Sequence, residues 1–188
     1  MKCVSALSTA RSASTAFHQI LERLAAEPGA DDEQPADFTL IFSSRHHAPV
    51  LGRLSQAFLE QGRTRHVLGC TAEAVVGDDL EVENKPALAV WSLWHPAIEI
   101  QPVRFDPGGG PLRQALATLE KPAESTLILL ADPFSFGIGD CLKTANDGFP
   151  GLRIVGGMAS GAAEPGGNRL LLDGEAFTDG AVALRLSG

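Results

Sequence analysis

Thr39-Leu40-Ile41-Phe42 and Thr126-Leu127-Ile128-Leu129 are two apolar runs set 87 residues apart (126 − 39 = 87), and the same step recurs downstream. There Val67-Leu68-Gly69-Cys70 lies over Ile154-Val155-Gly156-Gly157. Between the two runs of each half sits a stretch with helical spacing. An internal repeat of this length means that one supersecondary unit is used twice. Each half reads helix, strand, helix, strand, and then further strands. A helix between two strands is long enough for a crossover, so those strands are expected to be parallel. The later, closely spaced strands are expected to be antiparallel. The fold class is therefore α/β: a layered, mixed-sheet domain over 1–188, built from two strand-helix-strand halves related by a pseudo-two-fold, about 1–105 and 111–188. One sheet or two stacked sheets both satisfy this pattern.

Outward from the anchors, Phe17, Ile20, Leu21 and Leu24 make an apolar stripe behind an N-cap expected at Ser14. That helix should end before Pro28-Gly29, with Asp31–Glu33 as a solvated acidic loop. Pro49 is placed to open a second helix with Val50, Leu51, Leu54 and Phe58 inward, closing near Gly62. Gly77-Asp78-Asp79 marks a turn, and Leu88–Leu93 and Ile98–Phe105 follow as strands around the His95-Pro96 turn. Asp106-Pro107-Gly108-Gly109-Gly110-Pro111 is the strongest breaker and is expected to separate the halves. Beyond it, Leu112, Ala115, Leu116 and Leu119, and later Ile138, Cys141, Leu142 and Ala145, repeat the helical stripe. Leu170–Leu172 and Val182–Leu186 read as strands. Leu88 and Leu93 sit 94 residues before Val182 and Ser187 (182 − 88 = 94). Extra length thus enters the second half, most naturally at Glu164-Pro165-Gly166-Gly167. Trp91 and Trp94, three apart in a strand, should face opposite ways as core anchors.

The chain of 188 residues is 44% hydrophobic and 20% charged, with 15 basic against 23 acidic side chains and a net charge of −8. That composition suits a globular domain with a sizeable core. No basic run offers a footprint for a phosphate backbone, so nucleic acid is not an expected partner. No apolar run approaches the roughly 20 residues needed to span a bilayer, so no membrane is expected either. Three widely spaced cysteines, Cys3, Cys70 and Cys141, make no disulfide framework and point to a reducing, cytoplasmic setting.

Chemistry has two natural places. The first is the pair of glycine bends, 67–73 and 154–161, because glycine lets backbone N–H groups approach an anion or carbonyl; the same glycines also suit tight corners alone. Thr71, Glu73 and Ser160 can add side-chain contacts. The second is the pair of loops after the first strand of each half, 43–47 and 131–137, at the carboxyl ends where α/β folds bind ligands. There Arg45 can pair a carboxylate and Phe134 or Phe136 can wall an apolar pocket. His46 and His47 are adjacent and cannot both face one metal, and His18, His66 and His95 show no ligand spacing. No cofactor motif is present: there is neither a Walker loop nor a GxGxxG after a strand. Cys70 is the one serious nucleophile candidate, with a buried inert thiol as the competing reading. Cys141 lies on the apolar helical face.

Taken in order, Leu68-Gly69-Cys70-Thr71-Ala72-Glu73, Ala131-Asp132-Pro133-Phe134-Ser135, Ile154-Val155-Gly156-Gly157-Met158-Ala159-Ser160-Gly161 and Asp179-Gly180-Ala181-Val182 with Leu186-Ser187-Gly188 resemble the FIST family, and more narrowly its N-terminal domain. The resemblance runs from Ser8 to Gly188. It implies a non-enzymatic sensory domain in signal transduction that binds small ligands such as amino acids. It also implies a C-terminal FIST half or signalling module as partner, with F-box coupling in some eukaryotic members. Ala74 stands where the family often has glycine, so the first bend is expected to be less open than the second. A ligand site shared with a partner half would be incomplete in 1–188.

The combined expectation is a small zwitterionic or carboxylate ligand touching Gly69, Cys70, Thr71, Gly156, Gly157 and Ser160, with Arg45, Asp132 and Ser135 at the rim. Two other readings compete with it. One is a protein-recognition module using an exposed apolar surface. The other is a thiol hydrolase or transferase using Cys70 with His46, His47 or His66 as base.

Overall fold

A computed structural model of the chain describes residues 1–26, 34–95, 97–107, 116, 117, 119 and 122–188. The expected Pro28-Gly29 stop, the acidic loop, Pro96, most of the Asp106–Pro111 breaker, and Leu112 and Ala115 lie outside those residues.

The first sheet has the order β1-β6-β2-β3-β10-β11, from β1 (Lys2–Ser8), β6 (Leu88–Trp94), β2 (Phe38–Ser44), β3 (Val67–Ala72), β10 (Leu170–Leu172) and β11 (Glu175–Phe177). The second has the order β7-β12-β8-β9, from β7 (Glu99–Phe105), β12 (Ala181–Ser187), β8 (Thr126–Ala131) and β9 (Arg153–Met158). Among the strands of the described residues only β2–β3 and β8–β9 pair in parallel, each across a helical crossover, α2 (Leu51–Glu60) and α3 (Ile138–Gly148). The hairpin β4 (Ala74–Gly77) and β5 (Leu80–Glu83) stands apart from both sheets. Thus β1-β6-β2-β3 and β7-β12-β8-β9 are one topology used twice, the pseudo-two-fold arrangement read from the repeat.

The two sheets are stacked, with helices outside. On the outer face of the first sheet, Phe17 and Ile20 of α1 (Ala13–Ala26) and Leu51, Leu54 and Phe58 of α2 pack on Ala6, Ile41, Val67 and Val90. On the outer face of the second, Leu116, Leu119, Cys141 and Ala145 pack on Val103, Leu127, Leu129 and Ala183. Between the sheets, Phe38, Leu68, Cys70, Leu93, Leu130, Leu170, Val182 and Leu184 form the central core. Fully burying one such side chain stabilises by about 1.5–3 kcal/mol, which is why the inner strands β2, β3, β6, β8 and β12 read as near-continuous apolar runs.

Several expectations shift by small amounts. The α1 cap is Ser12, whose Oγ accepts from Thr15 N–H at 3.4 Å, two residues before Ser14. Lys2–Ser8 is a strand although it alternates small and polar residues, because Val4, Ala6 and Leu7 supply its apolar burial while Cys3 and Ser5 stay exposed. Ile98–Phe105 pairs with β12, so the chain changes sheets after Trp94 rather than at the Asp106–Pro111 breaker. A run of glycine and proline marks a loop and does not say which layer follows it.

The repeat register is also corrected. Gly69 pairs with Ile41 and Gly156 pairs with Leu129, both helix-facing residues, so the 87-residue match of the glycines holds. Ile41 itself therefore matches Leu129 (129 − 41 = 88), and Val90 matches Ala183 (183 − 90 = 93). Laying Thr39–Phe42 over Thr126–Leu129 ungapped puts Leu40, which faces the other sheet, over Leu127, which faces the helices. With a side-chain period of two, a one-residue slip exchanges the faces.

The two glycines do the same job. A Cβ on Gly69 would run into the carbonyl of Ile41, and one on Gly156, at φ +140, into the carbonyl of Leu129. Their lack of a side chain serves the approach of β3 to β2 and of β9 to β8. We expect Gly69→Ala to destabilise the fold by about 1–3 kcal/mol through overpacking. Gly157→Ala, whose added Cβ meets nothing within 4 Å, should stay within about 0.5 kcal/mol; urea denaturation of both variants checks the contrast.

Candidate functional site

The loops that leave β2, β3, β5 and β9 converge. Ser44 ends β2 and Arg45 and His46 follow it, Glu73 follows β3, Asn84 and Lys85 follow β5, and Ser160 and Gly161 follow β9. Together they line a polar pocket of about 270 Å³ at the carboxyl ends of β2 and β3. The contact between the halves is direct. Ser160 N–H donates to the Thr71 carbonyl at 3.1 Å, and Glu73 N–H donates to Ser160 Oγ at 3.1 Å. Gly161 sits against Thr71, where a Cβ would lie 2.7 Å from the Thr71 Cβ. Arg45, Glu73 and Lys85 are exposed at the rim, and among the described residues none of them is held in an ion pair with another side chain. Asn84 and Lys85 carry no repeat or strand signal. The one hint is the Asn84-Lys85-Pro86 turn composition, and Asn84 does take a positive φ of 55.

The other expected residues are distributed differently. Thr71 and Asp132 are buried, and both are tied to Asn168, which the sequence does not single out. Thr71 Oγ1 donates to Asn168 Oδ1 at 3.3 Å, and Asn168 Nδ2 donates to Asp132 Oδ1 at 2.9 Å. Asp132 Oδ2 accepts from Ser135 Oγ at 2.6 Å and from Phe134 N–H at 3.2 Å, and Ser135 Oγ accepts from Gly180 N–H at 2.8 Å. This chain of polar groups holds the first bend, the loop after β8 and the turn before β12 in one arrangement. Buried polar groups need such partners.

Gly69 lies within the sheet against Ile41. Cys70, Gly156 and Gly157 instead line a second space, an apolar cleft of about 770 Å³ between the sheets, floored by Phe38, Leu40 and Trp91. The structure therefore brings Arg45 and Ser160 together, joins Thr71, Asp132 and Ser135 through Asn168, and sets Cys70 with the second glycine pair elsewhere.

The thiol chemistry has no support in this geometry. Burial pushes the Cys70 thiol up to about 12, so it carries no thiolate near neutrality. Of the candidate bases, His66 Nδ1 bonds Asp173 Oδ2 at 2.9 Å and His46 Nδ1 lies 3.3 Å from Ser44 Oγ. His47 is buried, and its Nε2 has no partner among the described residues. Among the described residues no group of three or more His, Cys, Asp or Glu could hold a metal, and no helix is long and apolar enough to cross a membrane.

The model of the FIST N domain matches residues 37–188. The chain belongs to the FIST family. Proteins of Mycobacterium tuberculosis (strain H37Rv) and Mycobacterium bovis (strain AF2122/97), both described as uncharacterized, are 31% and 30% identical to it over 149 residues. The match covers 79% of this chain and 39% of each relative, so the chain spans well under half the length of the curated relatives it matches. FIST domains are sensory modules linked to small-molecule sensing in signalling. They commonly pair with a second FIST half.

Two measurements check the site's electrostatics. An alkylating probe at pH 7 should modify exposed Cys3 and leave buried Cys70 and Cys141 unmodified until the protein is unfolded. Burial, and then the neighbouring His46, push His47 below its ordinary value of 6.5 against a hydrogen bond to the Ala10 backbone. The unfolded chain then binds more protons than the folded one below that value. Stability should be fully present above about pH 6.5 and fall as the pH drops below it, and His47→Gln should flatten that acid limb in denaturant midpoints taken from pH 5 to 8.

Proposed function

We propose that this FIST domain senses a small carboxylate-bearing molecule, an amino acid being the best chemical match, in the polar pocket at the carboxyl ends of β2 and β3. One observation carries the reading: Arg45, Lys85, Glu73 and Ser160, from four separate connections, meet around one small space. Arg45 offers a planar, bidentate grip on a carboxylate, and Lys85 adds a second positive charge. Glu73 offers a counter-charge for an ammonium group. Opposite charges on one rim select a zwitterion over a simple anion, because a plain carboxylate would leave Glu73 unpaired beside it. The net charge of −8 does not prevent this, since salt screens distant charges within about 8–10 Å.

In this reading Arg45 and Ser160 touch the ligand, and Thr71, Asp132 and Ser135 support the pocket through Asn168. The family's link to small-molecule sensing supports the choice over a protein-recognition surface.

A thermal-shift screen against amino acids and small organic acids tests it. A ligand at ~100 times its dissociation constant should stabilise the fold by about 2.7 kcal/mol. Arg45→Ala should weaken binding by about ten-fold or more, the loss expected for a charge-assisted hydrogen bond. Glu73→Gln should weaken amino acids while sparing the matching simple acids. Cys141→Ala, in the outer core, should lower stability without changing the response. Hits indifferent to Arg45, Glu73 and Lys85 would place the ligand elsewhere.

A further inference from the structure

The two sheets differ at one edge. On the outer side of β3 the hairpin β10–β11 is added, with Leu170 opposite Cys70, Leu171 opposite Gly69 and Leu172 opposite Leu68. Leu170 and Leu172 face the other sheet, and Leu171 faces the helices. The matching strand β9 has no such neighbour among the described residues. Leu68 is 0% exposed, whereas Val155, its counterpart 87 residues later (155 − 68 = 87), is 52% exposed.

The space left by the missing strands is the apolar cleft. It lies beside β9 and over Cys3, Phe38, Trp91 and Leu93 of the first sheet, where the pseudo-two-fold sets the counterpart of β10–β11. The hairpin that follows β3 does not fill it. Glu73 alone joins β3 to β4, which holds β4–β5 against Leu7 and Ala89. The longer segment 159–169 is what lets β10 cross from β9 to β3. Arg153 N–H and Ala159 N–H donate toward β8, to the carbonyls of Ser125 and Ala131. Strand alternation then turns the N–H groups of Ile154, Gly156 and Met158 to the open side.

We propose that the open edge of β9 and its cleft receive an antiparallel β-hairpin supplied by a second FIST half. Its first strand sets large apolar residues opposite Val155 and Gly157, as Leu172 and Leu170 stand opposite Leu68 and Cys70. A long, exposed strand edge over an apolar floor is a template for strand addition, and main-chain hydrogen bonds with alternate side-chain pockets give the recognition. A second copy of this chain fits poorly. Paired β9 to β9, a second copy would bring Val155 inward with only Gly157 beside it, leaving most of a cleft of about 770 Å³ empty. The relatives extend well beyond the matched stretch, which is 39% of their length, and FIST domains commonly pair with a second FIST half.

A peptide copying residues 169–178 of this chain, RLLLDGEAFT, is the probe, added to the full chain at up to ~1 mM. The same ten residues are also tested fused behind Gly188 through a Gly/Ser linker of about ten residues, which reaches roughly 17 Å. Docking should slow hydrogen exchange of the Ile154, Gly156 and Met158 amides and shift the Trp91 emission to the blue. Val155→Lys, at an exposed position that the fold tolerates, should abolish both signals. Replacing the leucine that copies Leu170 by lysine in the peptide should weaken docking by about ten-fold or more. Absence of protection for both the free and the fused hairpin would overturn the proposal. Protection of the same amides without peptide, growing with protein concentration, would overturn it in favour of a second copy.

Discussion

The pairing of Leu170–Leu172 with Leu68–Cys70 is the constraint on which the architecture depends. It inserts a piece of the second half into the first half's sheet and brings Leu170 into the central core. It is fastened at its turn. Asp173-Gly174, both at positive φ, form the two-residue hairpin turn whose twist suits flanking strands. Asp173 then accepts from Val67 N–H at 2.8 Å and meets His66 at 2.9 Å. Arg104 of β7 continues the fastening, with its guanidinium 4.5 Å over the Phe177 ring and 2.6 Å from Asp179. The halves are therefore interleaved rather than merely stacked.

That interleaving also sets up the polar pocket. To reach β3, the chain leaving β9 must pass over the end of β3, and on its way it lays Ser160 on Thr71 and Glu73 and buries Asn168 between Thr71 and Asp132. The loop that carries the crossing is thus the loop that brings the second bend to the first. A rigid first bend follows, because the Thr71 hydroxyl both donates to Asn168 and accepts from Arg169 N–H at 3.0 Å. Arg45, which opens a 3₁₀ turn over Arg45–Val50, and Lys85 stay at the rim, outside that network. A fixed wall facing exposed charged side chains suits the capture of a small ligand.

Much of this was legible from the residues. The repeat, the inward faces of α1 and α2, the strands at 38–42, 88–93, 170–172 and 182–186, and the turn at Asp78-Asp79 all follow from period and punctuation. The FIST motifs carried the family. Less legible were β1, β4, β5 and β11, which are short or rich in small and polar residues. The match of Gly69 with Gly156 was correct, yet the strand preceding each was displaced by one residue. Sequence similarity between Thr-Leu-Ile-Phe and Thr-Leu-Ile-Leu is satisfied in either register, whereas packing accepts only the one that keeps Ile41 and Leu129 on the helices.

The sequence by itself determined the local elements, the doubled topology and the presence of glycines where two strands must close up, since these depend on side-chain period and backbone freedom over short stretches. Only the tertiary structure decided that two sheets stack, that Glu99–Phe105 belongs to the second, and that Cys70 and the Gly156-Gly157 pair face an apolar cleft while Arg45 and Ser160 share a polar pocket. Those outcomes rest on contacts between residues far apart in the chain, such as Leu170 with Cys70 and Asn168 with Asp132. Hydrophobic burial drives such contacts without direction, and it is the partner across the space, not the neighbour in sequence, that settles which face each residue meets.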